Sequence, residues 1–224
     1  MKTATIDLPS QDIVNASKEE MRFLLHEAWL IGLFSAENGN ASLRLPAPWH
    51  AFSVITAAGT SKGHLDSEDL SLMLLPEGTL CTGKSLSSET GVHISIYTQT
   101  SCCAVLHTHP PHLMALEVRL GGKTQERNTS LRTKCSQLPL YEARMWSEYL
   151  GQVQAYPPGS QELASAVAYS VRSMCSQNAK LRSKGALWMA EHGLCTWGST
   201  IKEAMSLSEE FEHLALIALH AMPC

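Results

Sequence analysis

Helical and strand-like patterns alternate along the 224 residues of this chain, and this alternation restricts the folds open to it. Helices are predicted at about 17–34, 87–98, 160–177 and 200–221. Short runs typical of strands are found at about 43–45, 52–57, 70–75, 103–109, 185–190 and 193–197. Chains with this alternation fold as layers of helix and sheet, so we expect an α/β fold.

Capping boxes mark two of the predicted helix starts. Ser17 precedes Glu20, and Thr200 precedes Glu203, in the S-x-x-E pattern that satisfies free N–H groups at a helix N-terminus. The polar segment 119–137 has two adjacent glycines and no clear period. We therefore expect a long loop or lid there and not a linker between domains.

The length of the chain favours one domain. At roughly 150 residues per domain, two complete domains would hardly fit, so we expect a single domain over residues 1–224. Apolar residues make up 44% of the chain and charged residues 17%, which is ordinary for a compact chain and unlike disordered proteins.

The charge balance argues against nucleic acid as a partner. Lys and Arg number 17 against 21 Asp and Glu, a net charge of −4, whereas a phosphate backbone attracts a basic surface. No apolar run approaches the roughly 20 residues that span a bilayer. We therefore expect no membrane segment, no signal peptide and no anchor. The seven cysteines lack paired spacing, which favours the cytoplasm as a reducing compartment.

His107 and His109 lie at the end of an apolar run. Because successive strand side chains point to opposite faces, these two imidazoles project to the same side and can reach one metal ion. A third ligand is needed, and we expect it to be His192, where Gly193 would let the backbone turn tightly. The alternative is that these histidines only bind backbone carbonyls at strand ends. His112 is expected to lie outside the ligand set.

A second candidate cluster lies at the start of the helix predicted over 87–98. Glu89 falls in its first turn, where the helix dipole favours a carboxylate, so a purely structural role is also open. Ser87 and Ser88 add hydroxyls beside free N–H groups, an arrangement suited to an anion such as phosphate. The small-residue loop 39–42, with Asn40, offers further donors, although such loops are often simple turns.

Taken together and in order, these segments resemble the class II aldolase/adducin superfamily over nearly the whole chain. This superfamily includes fuculose-phosphate aldolase, ribulose-phosphate 4-epimerase and methylthioribulose-phosphate dehydratase. The resemblance rests on the residues at 39–42, 55–59, 62–63, 87–90, 107–109, 157–160, 162–164, 192–193 and 197–198.

The resemblance implies a fold, a cofactor and an assembly. The fold is a three-layer α/β/α sandwich around a central, mostly antiparallel sheet, and the assembly is a homotetramer with active sites at subunit interfaces. A divalent metal, commonly zinc, would be held by His107, His109 and His192, although cobalt, manganese, nickel or iron can occupy such a site. Glu89 matches the catalytic carboxylate, which would bind the metal at rest and then act as acid and base.

The function implied is that of a metal-dependent aldolase. It would reversibly cleave a small hydroxy-carbonyl or sugar-phosphate substrate through a metal-stabilised enediolate, with Glu89 moving the proton. The alternatives are a dehydratase that acts on methylthioribulose phosphate, a sugar-phosphate 4-epimerase, and a non-catalytic adducin-like interaction module.

The sequence departs from the aldolase pattern at the phosphate site. Glu37 and Ala58 occupy positions where the aldolases have phosphate-binding residues, so a phosphate would meet a negative charge and lose a donor unless Lys62 compensates. Asn40, Gly59, Ser87 and Ser88 remain as substrate- or phosphate-binding candidates. We therefore expect a substrate that is less anionic than a usual sugar phosphate.

A second departure concerns the tyrosine that serves as proton donor in the aldolases. No tyrosine of this chain aligns with it clearly. Tyr141, Tyr149 and Tyr156 flank the corresponding region of the sequence, and the choice among them stays open.

Overall fold

A central sheet organises the computed structural model of the chain, which describes residues 7–120 and 135–222. Its eight strands follow the order β4-β3-β2-β1-β5-β8-β7-β6, and all neighbours are antiparallel except β6 and β7. The strands are β1 (Asn40–Arg44), β2 (Phe52–Thr56), β3 (Leu70–Leu74), β4 (Thr79–Thr82), β5 (Ala104–Thr108), β6 (Leu150–Val153), β7 (Gly185–Met189) and β8 (Gly193–Gly198).

The helices connect these strands and cover the sheet. In the described residues they are α1 (Gln11–Leu30), α2 (Thr90–Gln99), α3 (Pro111–Arg119), α4 (Tyr141–Ser147), α5 (Gln161–Gln177) and α6 (Ile201–Ala221). Short 3₁₀ turns lie at Lys62–His64, Ser67–Asp69 and Ala179–Arg182. Within these described ranges, every helix is too short or too polar to cross a membrane.

Alternation along the strands sends side chains to both faces of the sheet, where they enter three hydrophobic cores. In β5, Val105 belongs to the core formed with α2 and α5, whereas Leu106 belongs to the core formed with α1 and the start of α6. In β7, Leu187 faces the α2 and α5 side, and Trp188 packs with α3 and α6. The predicted three-layer α/β fold around a mostly antiparallel sheet is therefore confirmed.

Helix prediction succeeded where the caps are local. Ser160 caps α5 by accepting from the Leu163 N–H, and Thr200 caps α6 by accepting from the Glu203 N–H. The carboxylate of Glu203 returns its bond to the Ser199 N–H, one residue before the cap. Both helices begin within one residue of their predicted starts.

The boundaries predicted for the first helix were wrong. The helix begins at Gln11 after Ser10, and Ser17 is buried in its apolar stripe with Met21 and Leu25 instead of capping it. Its end at Leu30 also precedes the predicted one, because Ile31 caps the helix and Gly32 follows with φ +84°. A small serine in a buried stripe thus produced a false capping signal.

The strand starting near residue 43 was predicted too short. The structure begins β1 at Asn40, because Asn40, Ala41 and Ser42 pair with His107, Leu106 and Val105 of β5. These residues had been assigned to a turn-rich loop on composition. The cross-strand partners lie more than sixty positions away, so the local sequence does not reveal the pairing.

Four elements were missed altogether: α3, α4, β4 and β6. The edge strand β4 is largely exposed and shows no alternation, and β6 is only four residues long. Pro111 opens α3, where its missing N–H is harmless. The predicted loop over 119–137 lies for the most part outside the described residues.

Gly39, just before β1, offers a test of the packing beside the histidine strand. Its φ is +76°, and an added Cβ would lie 2.5 Å from the His107 carbonyl oxygen and 2.7 Å from Phe34 Cδ1. We expect Gly39→Ala to lower the free energy of unfolding by about 2–4 kcal/mol through backbone strain and overpacking. Gly32→Ala is the matched control, since Gly32 has φ +84° and nothing within 4 Å of its Cβ position. Equal losses in urea unfolding would contradict the packing argument.

Candidate active site and metal centre

The pairing of β5 with β8 brings the three histidines to one edge of the sheet. His107 lies in β5 and His109 directly follows it, while His192 lies in the turn between β7 and β8. Thr108 pairs with Leu194, so this turn stands beside the end of β5. The left-handed residue of the turn is Glu191, at φ +59°, and not Gly193 as predicted.

A glycine is needed at position 193 because of close packing and not because of its backbone conformation. A Cβ at this position would lie 2.6 Å from the Thr108 carbonyl oxygen and 2.9 Å from His107 Nε2. A side chain there would therefore press directly on the histidine that the turn approaches.

The three imidazoles form one compact cluster. One ring nitrogen from each lies within 4.8 Å of the others. The ring centroids are 4.8 Å apart for His107 and His109, 4.6 Å for His107 and His192, and 5.8 Å for His109 and His192. His112 lies outside this cluster, with Nδ1 2.6 Å from Glu212 Oε1. The structure thus brings together the three residues that the sequence analysis selected.

Glu89 completes the cluster from the helix side. It is the N-cap residue of α2, yet its side chain makes no cap bond and is buried against the histidines. Its Oε2 contacts His107 Nδ1, and its Oε1 lies 2.9 Å from His192 Nε2. Burial would raise the pKa of Glu89, but the charge and hydrogen bonding of these histidines outweigh it and hold the pKa well below its usual range.

Asn40 holds the same carboxylate from the sheet. It is the direct cross-strand partner of His107, so both side chains lie on one face. Its Nδ2 donates to Glu89 Oε2 at 3.1 Å. Three elements (β1, β5 and the β7–β8 turn) therefore surround a carboxylate supplied by the start of α2.

The donor set fits a divalent metal. Burial lowers the pKa of His107, and burial together with the neighbouring imidazoles lowers that of His109 to about 3, which favours the neutral His109 ring with a free lone pair. Among the described residues, His107 Nε2 and His192 Nδ1 are buried ring nitrogens without a hydrogen-bond partner. Three imidazoles beside a carboxylate are typical of sites for zinc and related ions.

A cavity of about 440 Å³ opens beside the cluster. All four predicted substrate-binding residues line it, and so do the two residues that depart from the aldolase pattern. These lining residues are Asn40, Gly59, Ser87, Ser88, Glu37 and Ala58. The Ser87 hydroxyl already accepts from the Glu89 N–H at 3.2 Å, so one of the N–H groups expected to be free is occupied.

Lys62 lies under this cavity as a buried cation. Its Nζ donates to the carbonyl oxygens of Glu37, at 2.6 Å, and Thr60, at 2.5 Å. Burial lowers the pKa of Lys62 to about 8, and the charge of Glu37 opposes that shift. The ammonium thus joins two loops at the cavity wall.

The tyrosines proposed as proton donors do not reach this cavity. Within the described ranges, Tyr141, Tyr149 and Tyr156 are absent from its lining, and Tyr141 is 73% exposed.

Glu117 of α3 is a site-supporting residue that the sequence analysis missed. Its Oε1 accepts from the Trp188 indole N–H at 2.8 Å, and its Oε2 accepts from the Glu191 N–H at 3.1 Å. It thereby holds the strained residue next to His192. No local signal reveals this contact, because Glu117 lies more than seventy positions from both partners.

The fold and the site together define a class II aldolase-type protein. The model of the family described as "Class II Aldolase and Adducin N-terminal domain" matches residues 19–219. The chain belongs to this family, and the resemblance inferred from its motifs is confirmed.

Curated relatives carry several different activities in their names. The chain is 28% identical over 208 residues to a methylthioribulose-1-phosphate dehydratase of Azotobacter vinelandii, covering 88% of this chain and 87% of that protein. It is 30% identical to an L-fuculose phosphate aldolase of Methanococcus vannielii (72% and 75%). It is 29% identical to a 3-oxo-tetronate 4-phosphate decarboxylase of Haemophilus influenzae (89% and 85%).

Two further comparisons concern length and fold. The chain spans 33% of a probable bifunctional methylthioribose-1-phosphate isomerase/methylthioribulose-1-phosphate dehydratase of Nocardia farcinica, with 25% identity. A sugar-phosphate aldolase from Thermotoga maritima superposes with a TM-score of 0.74 at 21% identity, covering 92% of this chain and 94% of that one. The latter shows the fold alone.

Removal of the Glu117 carboxylate tests its support of His192. We expect Glu117→Ala to lower the free energy of unfolding by about 2 kcal/mol, because it leaves the buried Trp188 N–H unpaired. We also expect weaker zinc binding, since the turn that carries His192 is released. Glu117→Gln, which keeps one acceptor, should lie between wild type and Glu117→Ala. Urea unfolding and titration against a chromophoric chelator measure both effects; lost stability with unchanged zinc affinity would show that Glu117 does not position His192.

Proposed function

We propose that this chain is a divalent-metal-dependent lyase that cleaves a carbon–carbon bond in a small hydroxy-carbonyl substrate. The observation that carries this proposal is the buried Glu89 carboxylate held between His107 and His192 at the edge of a cavity. His107, His109 and His192 would hold the metal. When bound, it would supply a Lewis acid for oxygens of the substrate.

The chain's own residues would do the remaining work. Glu89 lies at the cavity wall as an ionised carboxylate, the form that can take a proton from the substrate hydroxyl and later return one to carbon. Asn40 and His107 keep it in place by hydrogen bonding. Ser88 and Gly59, which line the same cavity, would contact the part of the substrate remote from the metal.

A dehydratase is the second candidate, and the names of relatives favour it. The chain covers 87% of the Azotobacter vinelandii dehydratase, and further proteins of that name match at 28–31% identity. Loss of water needs the same carboxylate beside a Lewis acid, so the cluster alone does not separate the two reactions. Decarboxylation is a third reaction to be assayed, because the Haemophilus influenzae relative is named as a decarboxylase.

We also propose that the chain acts in the cytoplasm and assembles as a homotetramer. The six cysteines that the structure describes are free, which supports a reducing cytoplasm. For the homotetramer, exposed Phe23, Leu30 and Ile31 on and after α1 offer apolar surface that a second copy of the chain could cover.

The residues of the cavity wall bear on whether the substrate carries a phosphate group. Glu37 lines the cavity with its carboxylate near Gly59, and Lys62 is engaged by two carbonyl groups. These features support a substrate end that carries hydroxyl groups in place of a phosphate dianion.

Metal content tests the proposed centre. We expect about one divalent ion per chain by elemental analysis, lost in His192→Ala because two imidazoles hold an ion far more weakly than three. His50→Ala, at an exposed position outside the cluster, is the control.

Metal-loaded protein is then incubated with hydroxy ketones, sugar phosphates and methylthioribulose phosphate, and aldehyde, water-loss product and carbon dioxide are assayed. Aldehyde release supports the aldolase, whereas the other products support the dehydratase or the decarboxylase. A chain that binds no zinc, cobalt or manganese would instead fit the adducin-like module.

Charge removal at Glu37 tests the expected substrate class. We expect Glu37→Gln to bind inorganic phosphate about fivefold more tightly in calorimetric titration, as removal of one solvated charge near 4 Å is worth about 1 kcal/mol. Glu191→Gln, also at the cavity wall, removes the same charge elsewhere and serves as control. Wild-type crystals that hold phosphate firmly against Asn40, Ser87 and Ser88, with Glu37 turned away, would overturn the expectation.

A further inference from the structure

The side chains on one face of α2 have nearly the same spacing as those on the facing side of β1. Glu89, His93 and Tyr97 follow one another at intervals of four along the helix, so they share a face. Asn40 and Ser42 share the facing side of β1. Four helical residues rise about 6 Å and two strand residues about 6.6 Å, so the two series stay in step.

These residues form a continuous buried ladder of hydrogen bonds. His93 Nε2 lies 2.5 Å from Asn40 Oδ1, and His93 Nδ1 lies 2.7 Å from Ser42 Oγ. Ser42 Oγ lies 2.8 Å from the Tyr97 hydroxyl oxygen, which in turn lies 3.3 Å from the Cys103 carbonyl oxygen. His93 and Ser42 are fully buried. The ladder therefore runs from the core to the carboxylate of the site.

The chemistry of the groups allows this ladder only one direction. Burial lowers the pKa of His93 to about 3, so its ring is neutral and has one N–H. Asn40 must turn its NH₂ group to the Glu89 carboxylate, since the amide oxygen would face another acceptor there. Its Oδ1 then accepts from His93 Nε2–H. Consequently His93 Nδ1 accepts from Ser42.

We propose that His93 is a positioning residue that orients Asn40 and through it holds the Glu89 carboxylate between His107 and His192. The inference rests on the proposed function only in assigning proton transfer to Glu89. The orientation itself depends on the contacts of His93, Asn40 and Ser42. A histidine that merely filled the core would have no influence on the site beyond stability.

Two substitutions test separately the two hydrogen bonds that the His93 ring makes. In His93→Gln the side-chain NH₂ reaches about as far as Nε2 and can still donate to Asn40. In His93→Asn the amide reaches only as far as Nδ1, so it can still meet Ser42 but not Asn40. Both replace the ring by a smaller amide, so a purely structural role predicts similar losses. The positioning role predicts that only His93→Asn damages the site.

Turnover and structure are measured together. We expect His93→Asn to lower kcat about 100-fold, with KM changed less than about threefold, because a small misplacement of a reacting group has an effect of this size. His93→Gln should stay within about fivefold of wild type in kcat. In crystal structures, Asn40 and Glu89 should move in His93→Asn alone. Equal losses in both variants, or an unmoved Glu89 in His93→Asn, would overturn the inference.

A measurement that does not depend on enzymatic activity distinguishes the role of His93 from the proposed function. Nitrogen-15 NMR of histidine-labelled protein, with His93 assigned from the His93→Gln spectrum, should show the neutral Nε2–H tautomer. The Nδ1–H tautomer or a charged ring would overturn the inference even in an active enzyme. If wild type binds no metal and turns over none of the candidates, the proposed function fails, while the tautomer and the two crystal structures still decide the role of His93.

Discussion

A buried carboxylate is the constraint on which the rest of this site depends. An ion taken out of water costs several kcal/mol unless charged or hydrogen-bonding groups replace the solvent. Glu89 finds these groups in His107 of β5, His192 of the β7–β8 turn and Asn40 of β1. Three elements far apart in sequence must therefore be in place together, which couples the formation of the site to that of the sheet.

The register of the antiparallel strands provides this arrangement. Asn40 stands directly opposite His107, and β8 pairs with β5 on its other side. Both faces of β5 are buried, so a slip of one residue would exchange the two cores and turn His107 to the opposite face. The helices on either side thus fix the position of His107 as well as covering the apolar cores. Glu117 and His93 add support from α3 and α2.

We expect the cavity wall, and not the histidine cluster, to determine which reaction this chain performs. Relatives are named as dehydratases, an aldolase and a decarboxylase, although the chain resembles each of them over most of its length. A carboxylate beside a Lewis acid serves all three reactions. Glu37, Ala58 and the buried Lys62 line the cavity beside the cluster. Such contacts determine specificity because unpaired polar groups are penalised strongly.

Local sequence determined the features that depend on a few neighbouring residues. Periodicity and the caps at Ser160 and Thr200 predicted α5 and α6, and the alternation of a strand predicted that His107 and His109 share a side. Only the tertiary structure revealed that Asn40 begins a strand and that Glu117 holds the turn before His192. It also showed that His93 links the core to Glu89. These roles depend on partners about 50 to 75 positions away, and no local propensity carries the register that joins them.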